Sequence, residues 1–167
     1  MKGEHERHSP KVNVWCGLSN CRIYGPYFFN ERTVTSESYL KMLQDYFVPQ
    51  LVESQRTIFQ QDGAPPHFAR RVKEFLDQRF PNEWIGRGGP IKWPPRSPDL
   101  TPLDFYLWGF VKSKVYHNKP RSVSELKARI IEAIESISQP VLESVFSEFE
   151  RRIRLTIFTS GRHVEIY

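Results

Sequence analysis

The sequence predicts an α/β chain in which short strands alternate with helices and the last third is helical. Three observations carry this. Val12, Val14 and Cys16 alternate with polar neighbours, and Ile23, Gly25, Tyr27 and Phe29 resume the alternation after Ser19-Asn20, as expected of a hairpin. Ile58-Phe59 is a short β-prone run that Gly63-Ala64-Pro65-Pro66 cannot continue. After Ser122, apolar residues recur at helical spacing.

In chain order, residues 1–11 are charged, include His5 and His8 and lack apolar periodicity, so they read as a disordered lead-in. The hairpin follows, and Thr35 or Ser36 then starts a helix whose Tyr39, Leu40, Leu43 and Phe47 face inward until Pro49. The Ile58-Phe59 strand delivers Asp62 to a sharp turn. Phe68, Ala69, Val72, Phe75, Leu76 and Phe80 then mark a helix, with Arg70, Arg71, Lys73, Glu74 and Asp77 on its other face. Gly86 to Pro90 form a loop before a short strand, Ile91-Lys92-Trp93, and Pro94, Pro95, Pro98 and Pro102 keep the next stretch extended. Pro102 introduces a helix carrying Asp104 in its early turn, where the helix dipole favours an ionised carboxylate. Ser122 and Glu125 form a capping box for a helix with Leu126, Ile130, Ala133, Ile134 and Ile137 inward. A last helix opens at Ser138–Pro140, buries Val141, Leu142, Val145, Phe146, Phe149 and Ile153, and closes at Gly161.

At 167 residues the chain fits one domain with a real core. No apolar run is long enough to cross a bilayer, and the charged N-terminus lacks a signal-peptide pattern, so a soluble intracellular protein is expected. Cys16 and Cys21 are expected to stay reduced, and a zinc site joining them to His5 or His8 has no familiar ligand spacing. The net charge is +5, and residues 84–121 account for it with Arg87, Lys92, Arg96, Lys112, Lys114, Lys119 and Arg121 against Asp99 and Asp104. Such a face suits a polyanion, although a solvated basic surface with no partner has the same composition.

Two stretches make the chemistry specific. Gln61-Asp62-Gly63-Ala64-Pro65-Pro66-His67 followed by Ser97-Pro98-Asp99-Leu100-Thr101-Pro102-Leu103-Asp104 resembles the second and third acidic motifs of mariner-type DDE transposases. Forty-one residues separate Asp62 from Asp104, similar to a branch of that superfamily whose third acid is Asp rather than Glu. The likeness runs from about Val12 to the C-terminus, the later part of the catalytic domain.

The resemblance implies a ribonuclease-H-like mixed sheet flanked by helices, truncated at the N-terminus, over residues 12–167, with a helical C-terminal extension. The hairpin would supply the second and third strands. The first strand, with the family's first acid, is therefore expected to be missing, and Glu4 and Glu6 are poor substitutes. The family's helix-turn-helix region, which recognises transposon ends, would be missing too.

The implied activity is cleavage and strand transfer of DNA phosphodiesters with Mg2+ or Mn2+, in the nucleus, with DNA and possibly a second copy as partners and no small-molecule cofactor. Asp62 and Asp104 would be the catalytic, metal-binding carboxylates, and His67, Arg87, Lys92, Arg96, Lys112 and Lys114 the DNA contacts.

Alternatives stay open. Asp62 could simply cap the helix after it. Asp99 competes with Asp104, and the family motif favours the later residue. His67 could touch phosphate, position water or pack against Pro65; Trp93 fits the core better than a base-stacking role. With its first acid missing, the chain is expected to be an impaired transposase remnant. A non-catalytic nucleic-acid-binding module and a protein-interaction remnant with an exposed sheet edge are the other readings.

Overall fold

The computed structural model describes residues 9–93 and 97–158. They fall into two compact units. One joins the residues up to Phe28 to those from Ser97 onward, and the other is the intervening stretch from Phe29. Residues 1–8, with Glu4, Glu6, His5 and His8, lie outside the described residues, as do Arg96 and Gly161.

In the first unit, β1 (Asn13–Leu18) and β2 (Ile23–Phe29) form a two-stranded sheet. Four residues join them, too few for a parallel crossover, so the pair is the expected antiparallel hairpin. The turn is held by Ser19, whose N–H donates to the Arg22 carbonyl at 2.8 Å and whose Oγ accepts from the Arg22 N–H at 3.1 Å. Cys16 is buried, Cys21 is exposed, and both are free thiols.

The helical part follows from its apolar spacing. α3 (Trp108–Val115), with Leu107 just before it, and α4 (Val123–Glu135) pack Leu107, Val111 and Val115 against Leu126, Ile130, Ala133 and Ile134, with Cys16 of β1 in the same cluster. Each such leucine or isoleucine stabilises the unit by about 1.5–3 kcal/mol. Ser122 caps α4 by accepting from the Glu125 N–H at 3.1 Å. The expected reciprocal bond is displaced by one residue: the Glu125 carboxylate accepts from Arg121 N–H at 2.7 Å. α5 (Gln139–Phe158) buries Leu142 and Val145, whereas Val141, expected inward, is exposed.

In the second unit, Thr35 caps α1 (Ser36–Met42) through a reciprocal pair with Ser38. The chain continues as a π-helical turn, Leu43–Phe47, and a 3-10 turn that ends beyond Pro49. Tyr39, Leu43 and Phe47 are buried, as the spacing predicted; Leu40, also expected inward, is half-buried, and Met42 is buried in addition. The strand at Ile58-Phe59 shrinks to β3 (Phe59–Gln60), and Ile58 is 50% exposed rather than interior.

The strand that pairs with β3 is β4 (Trp84–Ile85), in parallel register with Phe59 opposite Trp84, and sequence reading passed over it. Ile91 adds a single bridge to Ile85 where a strand over 91–93 was expected. Between them, α2 (Arg70–Arg79) buries Val72 and Leu76, and Phe80 stacks on Phe59 at 5.4 Å.

Candidate active site

Asp62 lies two residues beyond the carboxyl end of β3. Gln61 N–H extends the ladder by donating to Ile85 carbonyl at 3.0 Å. The chain then turns through Gly63 and Ala64 into a 3-10 turn at Pro65–Phe68, where prolines at the first positions supply the required φ.

Asp62 does not cap α2, whose start at Ala69 has no side-chain cap. Its Oδ1 instead accepts from Ala64 N–H at 3.0 Å and lies 2.5 Å from His67 Nδ1. The histidine approach is short, yet Nδ1 has no hydrogen bond of acceptable direction, so we read it as close electrostatic contact. Both contacts fall on Oδ1, which leaves Oδ2 for a ligand. The contact with His67 holds the Asp62 carboxyl below its usual range, against an opposing effect of partial burial and with help from the Ala64 N–H. Asp62 is therefore ionised at neutral pH.

Two further side chains, Tyr39 and Gln61, shape this turn. The His67 ring stacks on Tyr39 with centroids 4.0 Å apart. Tyr39 hydroxyl donates to Gln61 Oε1 at 2.9 Å, and Gln61 Nε2 donates to His67 carbonyl at 2.7 Å. Burial, then the Asp62 charge, raises the Tyr39 pKa and keeps the phenol neutral. Sequence reading assigned no site role to Tyr39 or Gln61. The available signal was that an amide beside Asp62, at the end of an apolar strand, needs buried partners.

Arg87 is exposed, with its guanidinium 4.0 Å above the Phe68 ring, and Lys92 is also exposed. His67, Arg87 and Lys92 thus belong to the same unit as Asp62, with His67 in contact with it.

In the other unit, Asp104 is exposed in the first turn of a π-helical segment, Leu103–Leu107, that runs into α3. Its N–H donates to Thr101 carbonyl at 2.9 Å. Isolated π turns occur disproportionately at functional sites, whereas an ordinary α-helix was expected here. Asp99 lies in a 3-10 turn, Pro98–Leu100, and its carbonyl accepts from Arg152 Nη1 at 2.9 Å. Arg152 also donates through Nε to Glu148 at 2.7 Å and stacks 4.2 Å above Phe105, so α5 clamps the loop on both sides of Asp104's turn. Lys112 and Lys114 lie exposed on α3, Lys114 Nζ 5.7 Å from the Phe110 ring centre. Trp93 is half-buried.

No cluster of three or more His, Cys, Asp or Glu able to hold a metal is found among the described residues. The chemistry nonetheless fits a hard divalent cation: Asp62 offers an ionised, exposed carboxylate oxygen, and magnesium commonly takes one or two carboxylates and completes its shell with water and phosphate oxygens.

No family model matches the chain. It is 33% identical over 108 residues to the Tc3 transposase of Caenorhabditis elegans, covering 64% of this chain and 30% of that protein. With the Tcb2 transposase of Caenorhabditis briggsae it shares 25% identity over 104 residues, 62% of this chain and 35% of the relative. The chain therefore spans about a third of the length of the curated relatives it matches.

Among solved structures, the Mos1 transposase catalytic domain with Mn and raltegravir superposes at a TM-score of 0.73 and 19% identity, over 93% of this chain and 78% of that one. A pre-cleavage Mos1 transpososome gives a TM-score of 0.77 at 20% identity, over 95% and 47%. The corresponding catalytic domain with Mg matches at 0.72 and 19%, over 92% and 77%. These likenesses establish the expected ribonuclease-H-like fold. No described helix is long and apolar enough to cross a membrane.

Proposed function

The chain is a relative of the mariner/Tc1-type DDE transposases and has the fold of their catalytic domain, and on that premise we propose that it is the DNA-engaging part of a divalent-metal-dependent endonuclease and strand-transfer domain. The observation that carries the reading is the turn after β3. It holds an ionised Asp62 by Oδ1 and leaves Oδ2 for a ligand. Asp62 and Asp104 are the residues that would hold magnesium or manganese. A divalent ion bound there supplies the charge that activates an attacking oxygen and stabilises the leaving one at a phosphodiester.

The chain's own residues do the rest. The Ala64 N–H and His67 fix one oxygen of Asp62, so the other is presented in one orientation. Arg87 and Lys92 in one unit, and Lys112 and Lys114 in the other, meet backbone phosphates, with Arg96 added from the sequence motif. Each contact of this kind strengthens binding without reading bases. The substrate is accordingly DNA, the place of action the nucleus, and a second copy of the chain a candidate partner.

Two carboxylates hold a divalent ion less firmly than three, so we assign this chain weak metal binding and slow or absent cleavage by itself. The test is DNA affinity and plasmid nicking of the full chain with Mg2+ or Mn2+, for the wild type, Asp62→Asn and Asp104→Asn. Metal should tighten DNA binding of the wild type and not of either variant, with nicking near background. Robust nicking abolished by Asp62→Asn would overturn the assigned impairment. Tight DNA binding unaffected by metal or by either substitution would favour a non-catalytic nucleic-acid-binding module, for which the basic excess over residues 84–121 is the supporting observation.

A further inference from the structure

We infer that Tyr39 and Gln61 are positioning residues for Asp62, a buried clasp that holds the Asp62–His67 turn shut and thereby fixes where the carboxylate meets its ligand. The inference rests on reading Asp62 as a metal-binding carboxylate.

Among the described residues the buried polar side chains are Ser38 and Gln61. Ser38 is accounted for locally, because it completes the cap of α1. Gln61 is not. Its amide spans from the hydroxyl of Tyr39, 22 residues earlier, to the backbone carbonyl of His67 at the far end of the turn. A buried amide is tolerated when both its ends are bonded, and here both are.

Tyr39 is 1% exposed, so a phenylalanine would fill the same space, and the hydroxyl's recorded bond is the one to Gln61. The same ring stacks on His67, which faces Asp62 Oδ1. One side chain on α1 therefore restrains both the backbone and the imidazole of the turn. Gly86 leaves room for this arrangement, since a Cβ there would stand 3.1 Å from Gln61 Cγ. The backbone of Gln61 is itself fixed to the β3–β4 pair. A ligand carboxylate whose supports are anchored in the core in this way is held to a fraction of an ångström, as metal binding requires.

The experiment is Mn2+ affinity of the full chain, read as free Mn2+ by electron paramagnetic resonance, alongside thermal unfolding. The proteins are the wild type, Asp62→Asn, Tyr39→Phe and the double variant Tyr39→Phe/Gln61→Met. Tyr39→Phe keeps the ring and strips Gln61 of its donor. The double variant replaces both polar side chains by apolar groups of similar shape, which removes the unpaired amide oxygen left by Tyr39→Phe but also the bond to the His67 carbonyl.

Positioning predicts that Mn2+ affinity falls roughly tenfold in Tyr39→Phe, as for loss of other supports of metal ligands. It also predicts that the affinity stays low in the double variant even where the melting temperature recovers. A merely structural role predicts that affinity and melting temperature recover together, which would overturn the clasp. So would Tyr39→Phe binding Mn2+ like the wild type while Asp62→Asn binds weakly. If the wild type binds no better than Asp62→Asn, the metal reading of Asp62 fails, and the clasp's role fails with it.

Discussion

Replacing Arg152 by methionine should destabilise the unit that carries Asp104 by about 3 kcal/mol, although the residue lies nearly fifty positions from that acid. The side chain is 19% exposed and makes three contacts: Nη1 to the Asp99 carbonyl, Nε to the Glu148 carboxylate, and the guanidinium face on Phe105. A hydrogen bond from a charged donor to a part-buried carbonyl contributes about 1.5 kcal/mol. A cation over an aromatic face adds about 1 kcal/mol, and the partly solvated pair with Glu148 about 0.5 kcal/mol.

Methionine keeps most of the stem's packing, so the loss reports mainly the head group. Arg152→Lys retains charge but not the planar fork, and should lose about 2 kcal/mol. The assay is urea unfolding followed by circular dichroism, with near-ultraviolet signals from Trp15 and Trp108 reporting this unit.

The pH dependence is a second check on the same clamp. Arg151 and then Arg152 pull Glu148 from an ordinary 4.5 to about 2. A carboxylate depressed on folding contributes stability that is present above 4.5 and lost as pH falls toward 2. The gap between wild type and Arg152→Met should therefore narrow across that window. A gap below about 0.5 kcal/mol at neutral pH, within the range of ordinary surface substitutions, would refute the clamp.

Other consequences are simpler to state. Asp62 is depressed chiefly by His67, so its ionised form stabilises the fold above the ordinary Asp value of 3.8, and this contribution disappears as pH falls below it. The difference in melting temperature between wild type and Asp62→Asn should accordingly shrink on acidification through that value, and a difference that grows would contradict the assignment. Gly89→Ala would place a Cβ 2.7 Å from the fully buried Trp84 ring and should cost about 2 kcal/mol of stability in urea unfolding, whereas a neutral result would show that the ring can yield. Lys112→Ala should weaken DNA binding evenly across sequences and lower the slope of log affinity against log salt by about 1, and a sequence-dependent loss would point to base contact instead.

Much of this was legible in the sequence because the relevant patterns are local. The hairpin from Asn13 to Phe29, the Thr35 and Ser122 caps and the inward faces of α1, α2 and α4 follow from alternation, capping and helical spacing, which neighbouring residues determine. What escaped was set by partners distant in the chain. β4 is two residues long and exists because Trp84 and Ile85 pair with Phe59 and Gln60, so no periodicity could mark it. Ile58 looked like a strand interior, but the strand begins one residue later and leaves it half in water.

At the site, the motif pointed to Asp62 and His67, and the turn does bring them together. Asp62's alternative role as a helix cap required knowing that α2 starts at Arg70, after an intervening 3-10 turn. Tyr39 and Arg152 act through contacts spanning 22 and 53 residues, and both looked like ordinary helix residues.

The central claim is that Asp62 holds a divalent ion, and iron-directed backbone cleavage tests it most directly. Fe2+ loaded in place of magnesium, then exposed to ascorbate and peroxide, cuts the polypeptide only beside the bound ion, and mass spectrometry reads the cut sites. The account predicts a cluster of cuts near residues 60–68 that excess Mg2+ suppresses and Asp62→Asn abolishes. No cuts there, or cuts that persist in Asp62→Asn, would contradict it.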